Sequence, residues 1–128
     1  MTPTHSRGIS GRRILIVDDH RDGAEATCAM LRILGATVRV AQTGRAALDC
    51  LDQFSPDTML LDLGLPDMDG CAVARQVRAT PAHARMLLIA LTGWGDDQDY
   101  RRTREAGFDH HLLKPADFHT LRGLLTGP

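Results

Sequence analysis

Three carboxylates, one hydroxyl and one ammonium stand where they can act together. Asp18 and Asp19 close the apolar run Ile14-Leu15-Ile16-Val17, and Asp62 closes Thr58-Met59-Leu60-Leu61. Thr92 closes Met86 to Leu91, and Lys114 closes Phe108 to Leu113. Short apolar runs of this kind are strands buried on both faces. A single acid at a strand end has a plain explanation, because Asp favours turns and helix caps. Three converging acids are different. Like charges about 4 Å apart repel by roughly 4 kcal/mol at an effective dielectric near 20, so the group needs protons or a cation. Oxygen ligands without Cys or His at a strand end select Mg2+, with Mn2+ as the alternative, over zinc or copper. Magnesium held by few carboxylates keeps positions open for water and phosphate. A lysine ammonium suits phosphoryl oxygens, and a threonine hydroxyl can donate to one of them. Singly, Lys114 is more often a solvated strand end and Thr92 a helix cap; together they describe a phosphate clamp. Asp62 follows the most apolar run and can attack an activated phosphate to form an acyl phosphate, the metal and Lys114 meeting the charge on the equatorial oxygens.

The segments between these runs are amphipathic. Ala24, Cys28, Leu31 and Leu34 recur at helical spacing before the stop signal Gly35. Thr37 to Ala41 alternates as a short strand, and Thr43 precedes Ala47, Leu48, Leu51 and Phe54. Val73, Ala74 and Val77 mark a third helix, Asp96 to Ala106 a fourth, and Phe118, Leu121 and Leu125 a fifth. Met30, Met59 and Met86 read as core fillers, and Cys28, Cys50 and Cys71 as small apolar groups. Five strands alternating with five helices predict an α/β fold, a doubly wound five-stranded parallel sheet in a flavodoxin-like (βα)5 three-layer sandwich. Right-handed crossovers then place every strand C-terminus on one edge, where such sheets bind ligands.

The 128 residues fit one domain, expected over 12–128 behind a flexible tail of residues 1–11, without a built-in output module. Fifteen Lys and Arg against 16 Asp and Glu leave a formal charge of -1, which argues against nucleic-acid binding. Three widely spaced cysteines suggest neither a disulfide framework nor a zinc site and fit a reducing cytoplasm. Neither a membrane span nor a signal peptide is expected.

Four motifs, Ile14-Leu-Ile-Val-Asp18-Asp19, Leu60-Leu-Asp62-Leu-Gly64-Leu-Pro-Asp-Met-Asp-Gly70, Ala90-Leu-Thr92-Gly93 and Lys114-Pro115, jointly resemble the receiver domain of two-component response regulators. The resemblance runs from Arg13 to Leu125. It implies that Asp62 is the phosphoacceptor, fed by a histidine kinase or a histidine phosphotransfer protein. It implies that Asp19, Asp62 and the Gly64 backbone carbonyl bind magnesium directly, that Asp18 acts mainly through a water, and that Thr92 and Lys114 contact the phosphoryl group. It also implies a cis peptide at Lys114-Pro115. The family places Tyr or Phe three residues before the lysine, as a ring that turns inward when the threonine moves. Here that switch position is His111, whose titration near neutral pH could couple switching to pH, unless it is only a partly solvated strand residue beside His110. Trp94, in the loop after Thr92, resembles the aromatic of receivers attached to hybrid histidine kinases and is a candidate gate over the acyl phosphate, or simply a cover for apolar surface.

The fourth helix is the least apolar, with Tyr100 and Ala106 its main offers to the core and an Asp97 to Arg101 pair within reach. A helix so weakly anchored should shift easily, which points to relay through helix four, strand five and helix five to a downstream protein, a phosphorylation-dependent homodimer being one such output. The domain is then a signalling switch without separate substrate turnover, either free-standing or part of a hybrid kinase. A magnesium-dependent phosphatase working through an aspartyl phosphate is a competing reading, although Asp18 and Asp19 are adjacent rather than separated and no cap insertion is present. An interaction module with a decayed pocket is a third.

Overall fold

The structure, a computed structural model, describes residues 9–93 and 97–126. Strands β1 (Arg13–Val17), β2 (Thr37–Ala41), β3 (Thr58–Asp62), β4 (Leu87–Thr92) and β5 (His110–Leu113) alternate with helices α1 (Arg21–Ile33), α2 (Gly44–Phe54), α3 (Gly70–Ala79), α4 (Asp97–Ala106) and α5 (Phe118–Thr126). All strand pairs are parallel, in the order β2-β1-β3-β4-β5. This is the doubly wound α/β sheet expected from the sequence.

Side-chain alternation along the strands divides the core in two. Leu15, Val17, Met59, Leu61, Leu88 and Ala90 pack with α2, α3 and α4 residues such as Leu51, Phe54, Val73 and Val77. Ile14, Ile16, Leu60, Ile89 and Leu91 face the other way, onto Cys28 and Leu31 of α1 and Leu121 and Leu125 of α5. Both faces of the sheet are covered, which is why β1, β3 and β4 read as unbroken apolar runs. No helix among the described residues is long and apolar enough to cross a membrane.

Several boundaries differ from the sequence reading for identifiable reasons. Met86 lies just before β4, its amide donating to the His83 carbonyl at 3.1 Å in the turn after the short 3-10 helix Pro81–His83. Phe108 precedes β5, its amide donating to the Thr103 carbonyl at 3.0 Å where α4 ends. Met30 is not a core filler: it is 38% exposed, one position off the buried Ala24-Cys28-Leu31 stripe. Ile9, expected in the tail, is 4% exposed and packs in the α1/α5 half of the core. The Arg12 amide donates to the Ile9 carbonyl at 3.0 Å and the Gly11 amide to the Gly35 carbonyl at 3.1 Å, so the packed unit begins ahead of residue 12.

One loop contact fixes the approach to the sheet edge. The Asp67 carboxylate, between β3 and α3, accepts from the amides of Gly44 at 2.8 Å and Arg45 at 2.9 Å, at the N-terminus of α2. Anions are favoured there because the first helical amides lack internal partners. Those hydrogen bonds, from Arg45 first and then Gly44, hold the Asp67 carboxyl below its ordinary value of 3.8. A depressed carboxyl contributes stability above the unfolded-state value and withdraws it as pH falls through the folded-state value. The unfolding midpoint in denaturant is therefore expected to drop more steeply below about pH 4 for the unaltered chain than for Asp67→Asn. Parallel pH profiles would show that the contact contributes nothing to stability.

Candidate phosphoacceptor and cation site

Strand register brings the chemical residues to one edge. Val17 pairs with Leu61 and Leu61 with Ala90, so Asp18 and Asp62 emerge side by side beyond the last β1–β3 pair. Thr92 pairs with Leu113 one step further along, and the Lys114 amide donates to the Thr92 carbonyl at 2.7 Å. The strand order reverses direction between β1 and β3, which is where open α/β sheets bind ligands. Asp18, Asp19 and Asp62 therefore meet at the switch point, with Thr92 and Lys114 following on β4 and β5.

Lys114 bridges two of these carboxylates. Its Nζ donates to Asp62 Oδ2 at 2.9 Å and lies 3.2 Å from Asp18 Oδ2. The two carboxylates are 8% and 7% exposed, so the contacts are only partly screened by water. Burial works against the Lys114 charge, but hydrogen bonds and charge from Asp62 and Asp18 outweigh it and raise the ammonium above its usual value. The remaining oxygens are also held: Asp62 Oδ1 accepts from the Gly64 amide and Asp18 Oδ1 from the His20 amide, both at 2.9 Å. Each carboxylate is thus aimed by its own backbone two residues on.

Three carboxylates against one ammonium leave negative charge in excess. Donor atoms of Asp18, Asp19, His20 and Asp62 all lie within 4.8 Å of one another, a set that fits one divalent ion. His20 was not singled out by its sequence; it follows two acids in a turn, and nothing in its spacing signals a ligand. Gly64 lies where its backbone bends over Asp62, and Gly70 presses α3 onto the same strand end. A Cβ at Gly70 would stand 2.7 Å from the Asp62 carbonyl oxygen and 2.9 Å from Leu63 Cα, both backbone atoms. Glycine is required there by close approach.

Of the two proposed switch residues, His111 is the one that packs against α4. Thr92 is buried, and His111 is the second residue of β5, half-buried and paired with Ala90 of β4. His111 Nδ1 is 3.0 Å from Thr103 Oγ1, and its ring lies 4.2 Å from the Tyr100 ring, tilted by 38°. The expectation that Tyr100 anchors α4 in the core is corrected: Tyr100 is 39% exposed, and the buried place is taken by Thr103. Ala106 is buried as expected. The Lys114-Pro115 bond is cis. Trp94, the candidate gate, lies outside the described residues, as does the Asp97 side chain of the expected pair with Arg101.

Residues 14–126 match the response regulator receiver domain family. The chain belongs to that family. This receiver is 38% identical over 103 residues to the response regulator MprA of Mycolicibacterium vanbaalenii, covering 80% of this chain and 44% of that protein. It is 32% identical over 115 residues to the virulence sensor protein BvgS of Bordetella bronchiseptica, covering 86% of this chain and 9% of that one. Among solved structures, the signal receiver domain of a DNA binding response regulator from Colwellia psychrerythraea superimposes with a TM-score of 0.83 at 30% identity, covering 88% of this chain and 94% of that one. This receiver therefore spans less than half of the two named full-length relatives. It is a signalling domain of two-component systems, and membership does not favour the phosphatase reading.

Proposed function

We propose that this receiver takes a phosphoryl group onto Asp62 from the phosphohistidine of a histidine kinase or histidine phosphotransfer protein. The supporting observation is the Lys114 ammonium set between Asp62 Oδ2 and Asp18 Oδ2 at the mouth of an acidic cluster. One Asp62 carboxylate oxygen attacks phosphorus; the phosphorus–nitrogen bond breaks, and the imidazole leaves with its electron pair and takes up a proton. Lys114 follows the charge from carboxylate to phosphoryl oxygen, and the Thr92 hydroxyl donates to another. Asp18, Asp19, Asp62 and the Gly64 carbonyl would hold Mg2+, which when bound neutralises charge on the phosphoryl oxygens. Water later hydrolyses the acyl phosphate, so the domain turns over no separate substrate.

The output follows from the second group of contacts. Movement of Thr92 toward the phosphoryl group changes the space beside His111, whose ring is held by Thr103 and Tyr100 of α4. The α4–β5–α5 face is then the surface offered to a downstream protein or to a second receiver. A cytoplasmic setting suits this chemistry and the free thiols of Cys28, Cys50 and Cys71.

The test is intact-mass analysis after incubation with a small acyl-phosphate donor, with Mg2+ and with a chelator. The expected result is a gain of one phosphoryl group that requires the metal. A gain that survives chelation, or none with the protein folded, would overturn the reading.

A further inference from the structure

We propose that His20 is a further donor of the cation site and that its imidazole sets which divalent ion this receiver prefers. The inference rests on the metal reading above and extends it to a residue outside the acidic triad. His20 Nδ1 lies 3.3 Å from Asp18 Oδ1 and 3.4 Å from Asp19 Oδ1. Neighbouring ligands of an octahedral ion with bonds of about 2.1 Å stand about 3 Å apart, so the ring nitrogen is at ligand spacing from both acids. The backbone is anchored, since the His20 amide donates to Asp18 at 2.9 Å and its carbonyl accepts from the Ala24 amide at 3.1 Å. The side chain is 74% exposed and makes no capping bond to α1, so the ring can turn toward an ion at little cost.

The consequence is chemical selectivity. Carboxylate oxygens favour hard ions, whereas an imidazole nitrogen adds affinity in the order Mn2+, Co2+, Ni2+ and adds little for Mg2+. A site of three acids and one imidazole is tuned away from magnesium relative to the acids alone. The opposing account is that the ring only pairs with the carboxylates and competes with every cation. That account predicts that removing His20 strengthens all divalent ions alike.

The two are separated by calorimetric titration of the full chain with Mg2+, Mn2+ and Ni2+ at about pH 8, above the ordinary imidazole range. His20→Ala and His20→Gln are compared with the unaltered chain, and displacement of Mn2+ by Mg2+ confines the readout to the shared site. The expected result is Mg2+ affinity unchanged within about twofold, with Mn2+ weakened about fivefold and Ni2+ by at least about tenfold. A nitrogen coupling in the electron spin echo of bound Mn2+, present in the unaltered chain and absent in His20→Ala, reads ligation directly. Parallel shifts for all three ions, or no nitrogen coupling, would overturn the assignment of His20 while leaving the acidic site standing. Failure of the unaltered chain to bind any of the ions would instead remove the metal reading itself, and this inference with it.

Discussion

Asp62→Asn is expected to abolish phosphoryl uptake from either a small acyl-phosphate donor or a phosphohistidine, while the protein keeps its fold. An amide has no carboxylate oxygen to attack phosphorus, so the loss is complete rather than a fractional slowing. The fold is retained because the remaining contacts tolerate the change. Asn Oδ1 still accepts from the Gly64 amide, which holds Asp62 Oδ1 at 2.9 Å, and Lys114 keeps Asp18 Oδ2 at 3.2 Å. The ion pair between Lys114 and Asp62 is lost, but so is one of three mutually repelling carboxylates, and these opposing terms leave stability within about 1 kcal/mol. Divalent-ion affinity falls by at least about tenfold because one donor has lost its charge. Intact-mass analysis, denaturant unfolding and ion titration on the same sample check the three statements together. A phosphoryl gain persisting in Asp62→Asn would place the acceptor on Asp18 or Asp19.

The parts of this site that were readable in advance were those carried by strand ends. A parallel sheet converts distance along the chain into adjacency by a simple rule, so Asp18, Asp62, Thr92 and Lys114 could be gathered from four separate apolar runs. Residues whose role depends on a loop or on the turn of one helix were not readable that way. Asp67 reaches Gly44 across 23 positions because the β3–α3 loop folds back over α2, and loop paths leave no periodic trace. Thr103 is a polar residue in a charged helix, and its burial follows from its contact with His111 rather than from hydrophobicity. Tyr100 is the converse case: an aromatic ring suggests core, yet here it stays exposed and packs, tilted, against His111 of β5. His83 likewise gave no signal, though it is buried, with Nε2 2.9 Å from Asp52 Oδ1. Pairings between side chains of different elements are set by packing that no local pattern encodes.

Lys114→Met separates binding from chemistry, because the two respond with opposite sign. The ammonium pairs with Asp62 Oδ2 and Asp18 Oδ2, on two of the carboxylates that would hold the ion. Removing it lifts a competing positive charge, and at an effective dielectric near 20 the divalent ion is expected to bind about tenfold more tightly. Methionine conserves most of the lysine stem, which is partly buried, so the change acts on charge more than on packing. Phosphoryl transfer moves the other way. The charge that builds on the phosphoryl oxygens loses its fixed donor, and removal of one such donor costs about 100-fold in rate. Without divalent ion the three acids have no counter-charge, so the metal-free variant unfolds at lower denaturant than the unaltered chain, and added Mg2+ closes most of that gap. A merely structural lysine would weaken stability and ion binding together and leave the rate of the correctly folded fraction unchanged. Tighter ion binding with slower acyl-phosphate formation is the signature of a group that pairs with Asp62 at rest and with the phosphoryl group during transfer; an unchanged transfer rate would remove Lys114 from the chemistry.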